Sequence, residues 1–248
     1  RLSPMSAPPS APLNAYQYQD LLVRGRDPYA HAKYQVILGH LGQASPQRIL
    51  NAGCGSGDLS FLLGALGHEV VGIDPGSAYI DLARSRAAEG PGCTFEVASI
   101  ESYEPAKPFD CVIATDVLEH IEDDHAAYRK LVRLVSPSGL IVLTVPAGQW
   151  LFGYHDEQLG HFRRYSRRSL RALAETASTV EDVRYFGVCL VPVCLWYSRW
   201  MRRPYPVAES ADTRARPLTA PILRAVLAAE RRMRPPTGTS LILKARPR

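Results

Sequence analysis

Residues 48–58 read RILNAGCGSGD, and the fold turns on that stretch. Arg48-Ile49-Leu50 opens a short apolar run of the kind that forms a buried strand. Gly53, Gly55 and Gly57 follow as GxGxG. Glycine adopts backbone angles closed to other residues and lets a ligand approach the main chain. Asp58 is placed to cap a helix with apolar positions Leu59, Phe61, Leu62 and Leu66, and Gly67 to end it. A second apolar strand, Glu69 to Ile73, runs into Asp74, 21 positions after Gly53. A carboxylate at that strand tip, about 20 residues past the glycines, suits a pair of ribose hydroxyls. The alternative is a tight strand–helix turn with no ligand. A dinucleotide fingerprint, GxGxxG, would need its third glycine at Asp58. A carboxylate there would face a pyrophosphate at a helix N-terminus, so the loop suits a ligand without phosphate better than NAD.

The stretch NAGCGSGDLSFLLGALGHEVVGIDPG closely resembles the first two motifs of class I S-adenosylmethionine-dependent methyltransferases. Asn51 departs from the Asp usual there, which removes a negative charge near the sulfonium. TDVLEHIEDD, residues 115–124, resembles the family's fourth motif, and the resemblance covers residues 48–146. It implies a cofactor set of Tyr16, Asn51, Gly53, Cys54, Gly55, Asp74, Pro75, Ser99, Ile100, Thr115, Asp116 and His120. Thr115 and Asp116 would line the methionine end, with His120 close by. Ala98-Ser99-Ile100 stands where the family usually has Asp for the adenine amino group, so adenine recognition would lean on Ser99 and the backbone. The implied cofactor is S-adenosyl-L-methionine, released as S-adenosyl-L-homocysteine.

Further strands are expected at Cys93–Val97, Phe109–Ala114, Leu140–Val145, Val180–Phe186 and Leu241–Lys244. Helices are expected at Tyr16–Val23, Pro28–Leu41, 77–88 behind a Ser77 cap, Leu118–Val135 and Ile222–Met233. Short apolar strands alternating with helices predict a parallel sheet covered on both faces. With the family's ending, the expectation is a Rossmann-like α/β fold: seven strands, mostly parallel, the last antiparallel. Residues 1–13 are rich in Pro, Ser and Ala, so 1–14 reads as a disordered N-terminus and 15–248 as a single domain. The resemblance makes residues 15–42 a cover over the cofactor, with Tyr16, Tyr18 and Tyr34 as candidates to lie near it or to pack helices on the sheet.

The chain has 248 residues, 46% of them apolar, enough for a full core. Five cysteines without a CxxC pair or metal-ligand spacing read as reduced thiols in a cytoplasm. The sequence contains no signal peptide and no 18-residue apolar span. Net charge is +5, with five arginines and no acid in 161–172, and nine arginines against three acids in 199–234. Such runs fit a solvated face, an acidic small-molecule substrate, nucleic acid or an anionic membrane surface. Strand four is not followed by an Asp/Asn-Pro-Pro-aromatic sequence, and no Pro-Cys dipeptide occurs. Both argue against methylation of DNA bases, so no nucleic-acid partner is expected.

Beyond Val145, PAGQWLFGYHDEQLGHFRRYSRRSL resembles a loop of bacterial methyltransferases with HDExxGHxRRY. It leaves the fifth strand at its carboxyl end, where ligands of open α/β sheets bind. His155 and His161 are the candidate bases, because histidine titrates near neutrality. Asp156, Arg163, Arg164 and Tyr165 are the candidate substrate contacts, with Glu157 beside them. The alternative is a salt-bridge network that stiffens the loop, Arg163 or Arg164 pairing Asp156 or Glu157. No metal is expected. Residues 188–237 read as an insertion before the last strand. Pro192 would break its apolar run, leaving a short segment from Val193 that closes the pocket or lies on an anionic bilayer. The function expected is methyl transfer to an oxygen or nitrogen of a small molecule in bacterial specialised metabolism. A lipid-linked or membrane-surface substrate and a non-catalytic cofactor-binding module are the alternatives.

Overall fold

The computed structural model describes residues 27–42, 46–87, 92–203 and 219–248. Tyr16, Tyr18 and the helix expected at Tyr16–Val23 lie outside these, as does the 1–14 terminus. Seven strands form one sheet: β1 (Arg48–Ala52), β2 (Glu69–Asp74), β3 (Cys93–Val97), β4 (Phe109–Thr115), β5 (Val135–Pro146), β6 (Ser178–Phe186) and β7 (Ser240–Pro247). Their order is β3-β2-β1-β4-β5-β7-β6. The pairs from β3 to β5 are parallel, while β7 runs antiparallel to both β5 and β6. The Rossmann-like sheet with an antiparallel last strand is therefore the fold observed. Order reverses between β1 and β4, so the glycine loop after β1 and the Asp116 turn after β4 share one crevice.

Helices cover both faces because the inner strands alternate buried side chains to each side. One face packs α4 (Asp124–Leu134) and α6 (Arg167–Ala174) through Tyr128, Leu131, Leu170 and Leu173. The other packs α1 (Pro28–Leu41), α2 (Asp58–Ala65) and α7 (Thr219–Glu230) through Ile37, Leu59, Leu63 and Leu227. Truncating one such fully buried side chain to Ala costs about 2–5 kcal/mol. On the β2–β3 side, α3 (Ser77–Ala87) buries Ile80 and Ala83 against Phe95. Gly72 in mid-β2 is needed there, since a Cβ would meet the Phe95 ring at 2.6 Å.

Several local expectations change. Gly57, left-handed at φ 86, takes the cap position of α2, and Asp58 lies within the helix. Its carboxylate accepts from Ser56 Oγ (2.9 Å) and from Arg86 (2.7 Å), 28 residues away and invisible to local reading. The helix expected from Leu118 is split. Leu118–His120 forms a 3-10 turn, and α4 starts only after Asp123, which accepts from Ala126 N (2.8 Å). Ser77 is the first residue of α3 rather than its cap. Pro192 does not interrupt the 188–200 segment. That segment runs as a 3-10 turn (Val188–Leu190), a turn of α-helix (Val191–Val193) and a π-helix (Cys194–Trp200), with Pro192 in the first turn, where no intrahelical donor is lost.

Candidate functional site

The crevice is built first from backbone. Gly53 and Cys54 both donate their amides to Ile73 O, at 2.8 and 2.9 Å, which ties the loop to the end of β2. Gly53 is left-handed at φ 71, and a Cβ there would collide with Val117. Gly55, at φ 52, has open space where a Cβ would stand. Asp74, 9% exposed, accepts from Gly55 N through Oδ2 (3.0 Å) and from Gly76 N through Oδ1 (2.9 Å). A carboxylate oxygen accepts more than one bond, the property that suits a strand-tip Asp to a pair of hydroxyls. Burial, and then the Asp74 charge, push the Cys54 thiol far above its usual range, which leaves it a packing group. Pro75 is exposed at the rim and Ile100 is buried. Ser99 accepts from Ser102 N (3.3 Å), so part of its capacity serves its own turn.

Asn51 does not orient the loop by hydrogen bonding to it. Its amide nitrogen donates to Ser60 Oγ on α2 (2.9 Å), and its oxygen is buried with no partner among the described residues. Thr115 Oγ1, at the end of β4, is likewise buried and unpartnered among them. An open space over Gly55, a strand-tip carboxylate and an orphaned hydroxyl across the crevice fit an adenosyl group with a polar tail.

Asp116 takes φ 54, a left-handed angle that a non-glycine residue rarely holds. Two bonds to the side chain help fix it: Thr144 Oγ1 donates to Oδ1 (2.9 Å), and Lys33 Nζ donates to Oδ2. Lys33, on α1, is buried, and its ammonium lies 5.2 Å from the centre of the Tyr29 ring. Sequence reading missed Lys33. Its only local signal is a lysine on the apolar face of an otherwise buried helix, three residues before Val36.

The loop after β5 brings the second set together. Its helix α5 (Tyr154–Leu159) ends at Gly160, left-handed at φ 75. Asp156 is the hub of the loop, fully buried. Its Oδ1 accepts from Arg164 Nε (2.8 Å) and pairs with His161 Nδ1 (2.8 Å), while Oδ2 accepts from Gly153 N (3.0 Å). Burial alone would raise its pKa; His161, Arg164 and the Gly153 amide outweigh that and hold it at about 2. Asp156 and Arg164 were expected to touch substrate, and they sit instead beneath the loop and shape it. Tyr165 is also buried, its hydroxyl donating to Asp124 Oδ2 (2.7 Å), and burial followed by that bond raises its pKa strongly. Arg163 pairs the same Asp124 at 3.0 Å and donates to Glu122 O (2.7 Å). The expected alternative, a network that stiffens the loop, therefore exists, with Asp124 of α4 as an unforeseen member.

His161 is the product of that network. With Nδ1 held by Asp156, Nε2 is the nitrogen left for other chemistry. The His161 ring lies 4.5 Å from that of exposed His120 and 6.4 Å from that of His155. The His155 backbone amide donates to Ser198 Oγ (3.0 Å). Glu119, His120 and His161 each offer a possible metal-ligand atom, all within 4.8 Å of one another. Phe162 N donates to Glu119 O (2.8 Å), which clamps this loop to the turn after β4. The 188–200 segment docks on the loop through Ser198, whose backbone packs against Gly153. Its tryptophans turn outward, Trp196 at 52% and Trp200 at 70% exposed. No helix of the described residues is long and apolar enough to cross a membrane.

A family profile described as a methyltransferase domain matches residues 24–178. A ubiquinone biosynthesis O-methyltransferase of Bradyrhizobium sp. (strain ORS 278) is 34% identical over 119 residues, 48% of this chain and 47% of its own length. The chain thus spans about half the length of the curated relatives it matches. Two solved structures share the fold at low identity. One is the N-methyltransferase NodS of Bradyrhizobium japonicum WM9 in complex with S-adenosyl-L-homocysteine. It has a TM-score of 0.58 and 16% identity, covering 93% of this chain and 97% of that one. The other is magnesium protoporphyrin IX methyltransferase from Synechocystis PCC 6803 with bound S-adenosylmethionine. Its TM-score is 0.54 at 17% identity, covering 96% and 86%.

Proposed function

The chain belongs to the methyltransferase domain family, and we propose that it methylates a hydroxyl oxygen of a small molecule. S-adenosyl-L-methionine, when bound, supplies a methyl group already activated on a sulfonium. The chain's own work is then to bind, align and remove a proton. Asp74, at the tip of β2, would accept the ribose hydroxyls, and the glycine loop would let the backbone approach closely. Thr115 and the Asp116–Lys33 ion pair would hold the methionine end.

The observation that carries the oxygen reading is the Asp156–His161 pair. Asp156 holds Nδ1 and so fixes the ring, which leaves Nε2 as the nitrogen that would accept the proton. A hydroxyl acceptor must lose its proton near the moment of transfer, whereas a neutral amine can be methylated first and deprotonated afterwards. The name of the Bradyrhizobium relative, an O-methyltransferase of ubiquinone biosynthesis, supports the same acceptor class and speaks for quinone-related rather than specialised metabolism. The test is product mass after incubation with S-adenosylmethionine and a panel of phenols, catechols and matched aryl amines. Methylated phenols or catechols support the reading; methylated amines alone overturn it.

A membrane-surface substrate is the second reading, and one observation favours it. Trp196 and Trp200, with ring centres 5.8 Å apart, are exposed beside Arg199 on a segment docked against the substrate loop. Tryptophan partitions to the bilayer interface, and each nearby arginine adds about 1 kcal/mol on an anionic surface. Flotation with anionic vesicles tests it. Salt-sensitive binding lost in the Trp196→Ser, Trp200→Ser double variant supports the reading, and no flotation removes it.

A further inference from the structure

A second polar cavity lies away from the crevice, between α1 and α7. Its volume is about 560 Å³, and it is lined by Gln35, Gly39 and His40 of α1, Arg184 of β6, and Arg231 and Arg232 just past α7. Val36, Ala228 and Ala229 complete the wall, and a Cβ on Gly39 would meet nothing within 4 Å. No acid is among the lining residues. Asp182 is paired with Arg234 (2.6 Å) and Glu181 with Lys244 (2.9 Å) and Arg246 (2.6 Å), while Glu230 accepts through Oε1 from the amides of Gly187 (2.5 Å) and Val188 (2.9 Å) and keeps Oε2 buried without a partner among the described residues.

Two buried donors are unused there. Arg184 is only 8% exposed, and one arm of its guanidinium donates to Glu230 O (3.1 Å) and Met233 O (2.7 Å) at the end of α7. Its Nε is buried and has no acceptor among the described residues. His40 Nε2 is buried without a partner as well. Arg184 and His40 line the same cavity, and each keeps a buried nitrogen without a partner among the described residues, a pair that an oxyanion could satisfy because it offers several acceptors at once. Exposed Arg231 and Arg232 add charge at the rim and are free to swing inward.

We propose that this cavity binds a phosphate-type dianion, held by Arg184 and His40 at its floor and by Arg231 and Arg232 at its rim. Neither the glycine loop nor the loop after β5 contributes to it, so the site is separate from the methyl-transfer crevice and does not rest on the acceptor assigned above. A free phosphorylated metabolite and the headgroup of an anionic lipid share the chemistry that it recognises.

The probes are inorganic phosphate and pyrophosphate, titrated calorimetrically and by thermal melting without S-adenosylmethionine, with chloride holding ionic strength constant. At ten times the dissociation constant the melting temperature should rise by about 3–5 °C. The Arg231→Gln, Arg232→Gln double variant changes exposed side chains only, and should weaken binding at least 10-fold while melting normally in chloride. His40→Phe, which fills the cavity and removes a donor, should do the same. Binding to phosphatidic acid vesicles, whose headgroup is a phosphomonoester, that the double variant loses, with no free phosphate bound, assigns the dianion to a headgroup and upholds the site. Absence of saturable binding to either probe overturns the proposal, and so does equal affinity in both variants.

Discussion

The two halves of the crevice are made by different physics. Around the glycine loop the geometry is held by main chain: Gly53 and Cys54 amides on Ile73 O, Gly55 and Gly76 amides on Asp74. Around the loop after β5 it is held by side chains that are themselves buried: Asp156 with His161 and Arg164, and Asp124 with Tyr165 and Arg163. Backbone geometry follows from local residue choice, mainly where glycine is allowed. A buried ionic network exists only after distant segments have met, since each charge is costly to bury without its partner. The first half is accordingly fixed by local backbone, and the second by contacts between distant segments.

The contrast breaks most visibly at His161. Replacing it with Ala should lower turnover by roughly 100-fold or more while S-adenosylmethionine affinity stays intact, if its Nε2 takes the acceptor proton. An unchanged rate in folded variant would reduce His161 to a strut of the network. On the backbone side, Asp74→Ala should weaken S-adenosylmethionine binding by about 1.5–3 kcal/mol, as expected for a lost charged acceptor. Calorimetry reads this directly, and an unaltered affinity would refute the ribose assignment.

Asp156 sharpens the comparison through pH. Its folded pKa, about 2, lies below the ordinary 3.8. A depressed pKa means the stabilisation is fully present above about pH 4 and is lost as pH falls towards 2. The shift corresponds to about 2 kcal/mol, and Asp156→Asn should lose about that much at neutral pH and flatten the acid limb of the denaturation curve. A wild-type acid limb in that variant would show that the hub carries no such energy. The smallest effect expected is from chelation. If His161 works as a base, extensive dialysis against EDTA leaves turnover unchanged. A 10-fold loss restored by a divalent cation would instead give Glu119, His120 and His161 the role of ligands.

The sequence by itself determined the sheet, the glycine loop and the position of Asp74. Those follow from apolar periodicity and from glycine placement, which act within a few residues. It also marked the HDExxGHxRRY loop as the second wall. It did not reveal that Asp58 would be claimed by Arg86, that the Leu118 helix would break before Asp123, or that Lys33 would reach Asp116 across 83 positions. It set His155 and His161 apart as candidate bases, but it did not reveal that Asp156, Arg164 and Tyr165 would be buried or that Asp156 would hold His161 Nδ1. Only the tertiary structure decided which of these side chains were buried and which partners they took. The physical reason is that burial and pairing of charge depend on what the rest of the chain packs against the loop, and no local pattern encodes that.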